Sequence, residues 1–206
     1  MSIFQSVTNG VSEFRKKMRN MIDCLLDHNN DYFLCYYPGN NGYLVQKLLQ
    51  RLTRNIKFDD HNIDKLEGID PDSIVIYASK TKRITDFIYY HTKLKSMELP
   101  YPQVGFDLKF FFLQPVKRLF RVILSHLDYF FHHFHIKNAY TSGYFSKELL
   151  NGKAGFVCLI EEDDFYERFI KSTPDPLYLL IELQKSIEKP VIIIPEDIFY
   201  GTKPMR

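Results

Sequence analysis

Three groups of side chains have the residue types and spacing for chemistry. Asp128, His132 and His135 recur at spacings of four and three, which places a carboxylate and two imidazoles on one side of a helix. Such a set could hold zinc or iron. No obvious fourth ligand accompanies it, and with His126 and His133 nearby it also reads as a wet, histidine-rich helix end. No metal and no cofactor is therefore expected. Glu161, Glu162, Asp163 and Asp164 could share protons as paired carboxylates, but an acidic loop is the simpler reading. The turn Pro38-Gly39-Asn40-Asn41-Gly42 stands between an apolar run and a helical pattern. Free backbone N–H groups at a helix start favour an anion there. The turn lacks both the Gly-Lys-Ser/Thr of a phosphate-binding loop and the third glycine of a dinucleotide fingerprint, so a plain tight turn competes with it.

These groups need a scaffold, and composition bounds it. The chain has 206 residues, 45% of them hydrophobic and 25% charged, which suits an ordinary globular domain and excludes a disordered or collagen-like chain. Twenty-seven Lys and Arg nearly balance 25 Asp and Glu, which argues against bulk electrostatic binding of nucleic acid. The aromatics are 18 Phe and 14 Tyr with no Trp, enough to fill a large core or to dress a membrane-facing surface. Cys24, Cys35 and Cys158 have no paired spacing and read as small buried apolar residues. No run of about 18 apolar residues exists, so no helix is expected to span a bilayer.

Along the chain, strand patterns alternate with helical ones. Residues 11–28 read as an amphipathic helix with a basic face carrying Arg15, Lys16, Lys17 and Arg19. Asp31 to Tyr37 has strand length, and Tyr43 to Arg54 is helical. Ser73 to Ala78 (SIVIYA) is a buried-strand pattern. A helix is expected from Thr85 to Lys95, a short strand from Val104 to Leu108, and a long helix from Phe112 to Phe134. In that long helix Val116, Leu119, Phe120, Ile123, Leu124, Leu127, Phe131 and Phe134 form one stripe, and Arg118, Arg121, Ser125, Asp128, His132 and His135 the other face. The apolar stripe reads first as facing the core, with an in-plane membrane surface as the alternative. A helix from Ser142 to Leu150, a strand from Gly155 to Ile160, a helix from Pro176 to Glu188 and a final buried strand from Pro190 to Ile194 complete the order. The expectation is an α/β fold with a mostly parallel sheet flanked by helices, residues 1–30 forming an amphipathic arm and residues 31–206 the domain.

The blocks IVIYASKTKRITDFIYYHTKLKSMELPYPQVGFDL, QPVKRLFRVILSHLD and KPVIIIPEDIFYGTKP occur in that order over residues 73–206. Together they resemble the glycerol-3-phosphate acyltransferase family in the region that precedes its catalytic block. More loosely they resemble the general glycerolipid acyltransferase domain, where a strand leads to a His-(four residues)-Asp motif at a helix start. The resemblance implies acyl transfer from an acyl thioester to glycerol 3-phosphate in phospholipid synthesis, with no metal. The His would take the hydroxyl proton, the Asp would orient the imidazole, and basic residues would hold the phosphate.

On this pattern Asp86 falls on the Asp position, and its His position is Thr81, which cannot act as a base near neutral pH. Asp86 also reads as a first-turn carboxylate that stabilises the helix dipole. Lys117, Arg118 and Arg121 form the basic block for substrate, or else are solvated. The Pro-Glu-Gly block survives only as Ile160-Glu161-Glu162. No histidine in the chain has an Asp five positions later. The chain is thus expected to be inactive alone, as a piece cut before the catalytic block or as a diverged module binding membrane or a partner protein. A peripheral place on the cytoplasmic face of a membrane is implied, with Lys80, Lys82 and Arg83 as possible headgroup contacts.

Overall fold

The computed structural model describes residues 31–39, 43–53, 60–160 and 175–198, together with Glu13, Lys16, Lys17, Asn20 and Met21, which are helical and exposed. Most of the helix expected at 11–28, Cys24, Asn40 to Gly42, the Glu161–Asp164 run and residues 199–206 lie outside them.

Beyond those helical residues lie two helices, α1 (Tyr43–Thr53) and α2 (Asp60–Glu67). They are followed by β1 (Ile74–Thr81), α3 (Ile84–Ser96), β2 (Pro102–Gly105), a single 3-10 turn at Phe111–Leu113 and α4 (Val116–His133). Then come α5 (Tyr144–Leu150), β3 (Ala154–Ile160), α6 (Pro176–Ser186) and β4 (Val191–Glu196). The sheet order is β2-β3-β1-β4 and every pairing is parallel. The alternation of strands and helices thus gives the α/β fold its sequence order implied.

β1 is the central strand. Ile76 pairs with Gly155 on one side and with Ile193 on the other. Buried from Ile74 to Ser79, it has the unbroken β-branched and apolar run of a strand covered on both faces. On one face Val75 and Tyr77 pack with Phe87, Tyr90 and Leu94 of α3 and with Phe110 and Phe156. On the other, Ile74, Ile76 and Ala78 pack with Phe106, Phe145 and Leu149 and with Leu180 and Leu183 of α6. Gly155 is required between these layers: a Cβ there would sit 2.7 Å from Ile76 Cδ1 and 3.0 Å from Phe106 Cε2.

Helix ends follow local chemistry. Pro176 opens α6 at a first-turn position while the Asp175 carboxylate accepts from Leu177 N at 2.9 Å. Pro115 precedes α4, and Phe134 ends it in the left-handed region at φ 57°.

Three expectations change. Asp31 to Tyr37 is not a full strand. It turns at Leu34-Cys35 and makes one antiparallel bridge, Tyr36 to Val104. Backbone groups of Gln103, Gly105 and Phe110 meet Tyr37 N, the Cys35 carbonyl and the Leu34 carbonyl, and Arg118 and Ser125 of α4 take the Phe33 and Tyr36 carbonyls and Asp31 N, so no long ladder is needed. β4 lies at the edge of the described sheet and is half-buried, with Ile193 48% exposed, since among the described residues only β1 pairs with it. The third change is the largest. The apolar stripe of α4 faces outward: Val116 is 83%, Phe120 59% and Phe134 62% exposed. The buried side chains of this helix are Val122 and Ser125, and Arg118 from the expected polar face turns inward with them. Amphipathicity fixed two faces, and hydrogen bonding to the 31–36 segment decided which of them meets the protein.

Candidate active-site region at the carboxyl end of the sheet

In a parallel α/β sheet, ligands are taken at the carboxyl ends of the strands. There β1 ends at Thr81 and α3 begins at Ile84. Ser79 Oγ donates to the Thr81 carbonyl at 3.2 Å, and Arg83 N donates to the same oxygen at 3.1 Å, which shapes the loop. Arg83 occupies the cap position of α3 without capping it by its side chain. Asp86 lies in the first turn, only 3% exposed, and its Oδ1 accepts from Thr85 Oγ1 at 3.2 Å. A carboxylate there is favoured by the helix dipole. Thr81 is half-buried, Lys80 and Arg83 are exposed, and Lys82 is half-buried.

A second carboxylate belongs to this end. Glu196, the last residue of β4, is the register partner of Ser79. Burial raises its carboxyl to about 6, and the Tyr90 hydroxyl hydrogen-bonds to it, which opposes the rise. Tyr90 lies within electrostatic reach of both Glu196 and Asp86 and is itself pushed upward, chiefly by burial. A carboxyl near 6 can hold or release a proton close to neutral pH. Glu196 was missed in the sequence because nothing in PVIIIPE marks its glutamate until β4 pairs with β1.

Glu196→Gln is expected to stabilise the chain by about 1 kcal/mol at pH 7.5, a figure reduced for partial exposure. The folded carboxyl sits above its ordinary value of 4.5, so the fold favours the protonated form. The disadvantage of the charged form is felt above pH 6 and vanishes below 4.5. Urea midpoints of the two proteins should therefore differ at pH 7.5 and converge at pH 4.5. Equal midpoints at both would show that Glu196 is not strained.

His91 is the buried histidine nearest in sequence to Asp86. Its Nδ1 is 2.8 Å from the Pro102 carbonyl, which fixes Nδ1–H as donor. Burial lowers the ring to about 4, and Lys95 pushes the same way. Gly39, at φ 63°, runs so close that a Cβ there would meet His91 Nε2 at 2.7 Å. The tight turn thus has a packing reason for its first glycine.

The basic block is divided. Arg118 donates from Nε to Asp31 Oδ2 at 2.6 Å and from Nη2 to Asp31 Oδ1 at 3.4 Å and the Phe33 carbonyl at 3.2 Å. Its Nη1 donates to the Tyr36 carbonyl at 2.9 Å and to Gln114 Oε1 at 2.5 Å. The guanidinium also lies over the Tyr36 ring, 5.1 Å from its centroid. This is a structural clamp and not a vacant phosphate ligand. Lys117 is exposed and Arg121 half-buried.

The histidine-rich end of α4 does not assemble a metal centre. His132 Nδ1 lies 2.7 Å from the Asp128 carbonyl oxygen and 3.4 Å from Asp128 Oδ1. His135 Nδ1 is 2.9 Å from the His133 carbonyl, and its Nε2 is 3.2 Å from the Tyr129 hydroxyl. Among the described residues no three His, Cys, Asp or Glu side chains converge on a metal. Cys35 and Cys158 are buried, and burial pushes the Cys35 thiol up to about 12, far from a thiolate nucleophile. Among the described residues no helix is long and apolar enough to cross a membrane. No family model, no curated protein and no solved structure matches the chain.

Proposed function

We propose that the chain is the supporting, amino-terminal region of a glycerol-3-phosphate acyltransferase, held peripherally on the cytoplasmic face of a membrane and unable to transfer acyl groups by itself. The observation that carries this reading is the block IVIYASKTKRITDF. It folds as β1, a basic loop and the start of α3, and it brings a buried Asp86 to the carboxyl end of a parallel sheet. The resembled domain has the same strand-loop-helix order.

Acyl transfer joins a glycerol hydroxyl oxygen to the acyl carbon and breaks the carbon–sulfur bond. The hydroxyl proton needs a base, and the departing thiolate takes a proton in turn. Thr81 stands where the base would be and cannot serve. His91 is neutral near pH 7 but buried, with its Nδ1 committed to Pro102. Of the basic block, Arg118 is committed to Asp31 and its neighbours and is not left to meet the phosphate of glycerol 3-phosphate.

The purified chain, supplied with an acyl thioester and labelled glycerol 3-phosphate, is expected to form no ester above background. Ester formation that Asp86→Asn abolishes would overturn the statement that the base is missing. Coding sequence downstream of the Arg206 codon tests the family reading. An in-frame His-(four residues)-Asp motif supports it, and a stop codon there favours a second reading, a non-catalytic module that binds membrane or a partner protein. The outward apolar face of α4 is the observation in favour of that module.

A further inference from the structure

Helix α4 turns its arginine clamp inward and its phenylalanines outward. At 3.6 residues per turn, Val116, Phe120, Ile123, Leu127, Phe131 and Phe134 fall within an arc of about 100°. Each is at least 36% exposed. The 3-10 turn before the helix extends the surface, with Phe112 96% exposed, and Ile136 beyond its end is 69% exposed. Lys117 and Arg121 follow one border of the arc. From Leu108 to Lys137 the chain carries five Lys or Arg and one carboxylate. That carboxylate, Asp128, is 13% exposed at its side chain and lies against His132. A groove of about 390 Å³ beside the arc, walled by Leu34, Val122 and Phe130, is almost wholly apolar.

We infer that α4 lies in the plane of an anionic lipid bilayer, with Val116, Phe120 and Phe134 in the acyl boundary and Lys117 and Arg121 at the headgroups. The charge pattern selects this occupant. A continuous apolar arc bordered by cations and nearly free of acid complements a surface that is apolar below and negative above. The inference rests on the peripheral-membrane reading and adds the element and the lipid class. The competing element is the basic arm with Lys16 and Lys17, both exposed and helical.

The test is co-sedimentation of the full chain with vesicles of phosphatidylcholine alone and of phosphatidylcholine with an equal share of phosphatidylglycerol. Binding to the anionic vesicles is expected to exceed binding to neutral ones by about tenfold, and Val116→Ser/Phe120→Ser to lose about tenfold. These positions are exposed, and thermal melts check that the variant folds. Lys117→Glu/Arg121→Glu gives a second reading by removing the anionic preference. Lys16→Glu/Lys17→Glu is expected to bind within about twofold of the parent. Unchanged binding by the α4 variants, with loss in the arm variant, would overturn the inference and leave peripheral binding intact. Equal binding to both vesicle types would overturn the lipid class. No binding to either would overturn the inference and the peripheral reading together.

Discussion

Arg118→Met is expected to lower stability by about 3 kcal/mol, near the lower end of the cost of breaking a buried ion pair, because Asp31 keeps some solvent. The side chain of Arg118 is 14% exposed and that of Asp31 25%. Methionine fills the aliphatic volume, so the loss reports the guanidinium. With it go two hydrogen bonds to Asp31 and those to the carbonyls of Phe33 and Tyr36. The segment from Asp31 to Tyr37 should then exchange its amide hydrogens faster while β1 and β3 remain protected. Ser125 Oγ, which accepts from Asp31 N at 3.2 Å, holds the same segment and is too weak to replace the clamp. Arg118→Lys should restore little, since an ammonium has three donors and no planar fork to meet Asp31, Phe33, Tyr36 and Gln114 together. A urea midpoint unchanged from the parent, with unchanged exchange at 33–37, would show that the clamp contributes nothing.

The second large effect is a loss of stability in acid through His91. Its folded value, about 4, lies below the ordinary 6.5, so the fold prefers the neutral ring. That preference is fully present above pH 6.5 and is lost as pH falls toward 4. Over that window the loss amounts to about 3 kcal/mol. Glu196 acts oppositely between pH 6 and 4.5, where protonation relieves its burial, but it is less buried and its contribution is smaller. Urea unfolding at pH 7 and at pH 4.5 should therefore show a drop in the parent. In His91→Gln, which can still donate to the Pro102 carbonyl, much of that drop should disappear. Parallel pH dependence in the two proteins would place the acid sensitivity elsewhere.

Most elements were legible from the sequence to within a few residues because hydrophobic period and turn residues act locally, but the short polar helix α2 (Asp60–Glu67) carried no such signal and the run from Asp31 to Tyr37 lost its strand. SIVIYA is continuous and β-branched, and it became the central strand. α3 ended at Ser96, short of Leu99-Pro100, with Glu98 in the left-handed region at φ 60° and Leu99 N donating back to the Leu94 carbonyl. Direction was not legible. The α4 stripe and its polar face differ strongly in character, yet a two-faced helix does not say which face finds the protein. That was decided by one arginine and one serine reaching a segment about 90 residues earlier.

The candidate site divides the same way. Asp86 could be singled out by its place at a helix start, whereas Glu196 gains meaning only from the β1–β4 register. His91 lies in a helix with no motif around it, and its neutrality follows from burial that the linear order does not reveal.

The placement of β1 at the centre also bears on synthesis. Its two neighbours, β3 and β4, follow it by roughly 80 and 120 residues. At a translation rate of about 5–20 residues per second, the central strand waits several seconds beside α3 before either edge is covered. Nascent chains carrying residues 74–81 without 154–196 would thus be natural clients for chaperones, and a slowed ribosome over the α4–β3 stretch would lengthen that exposure.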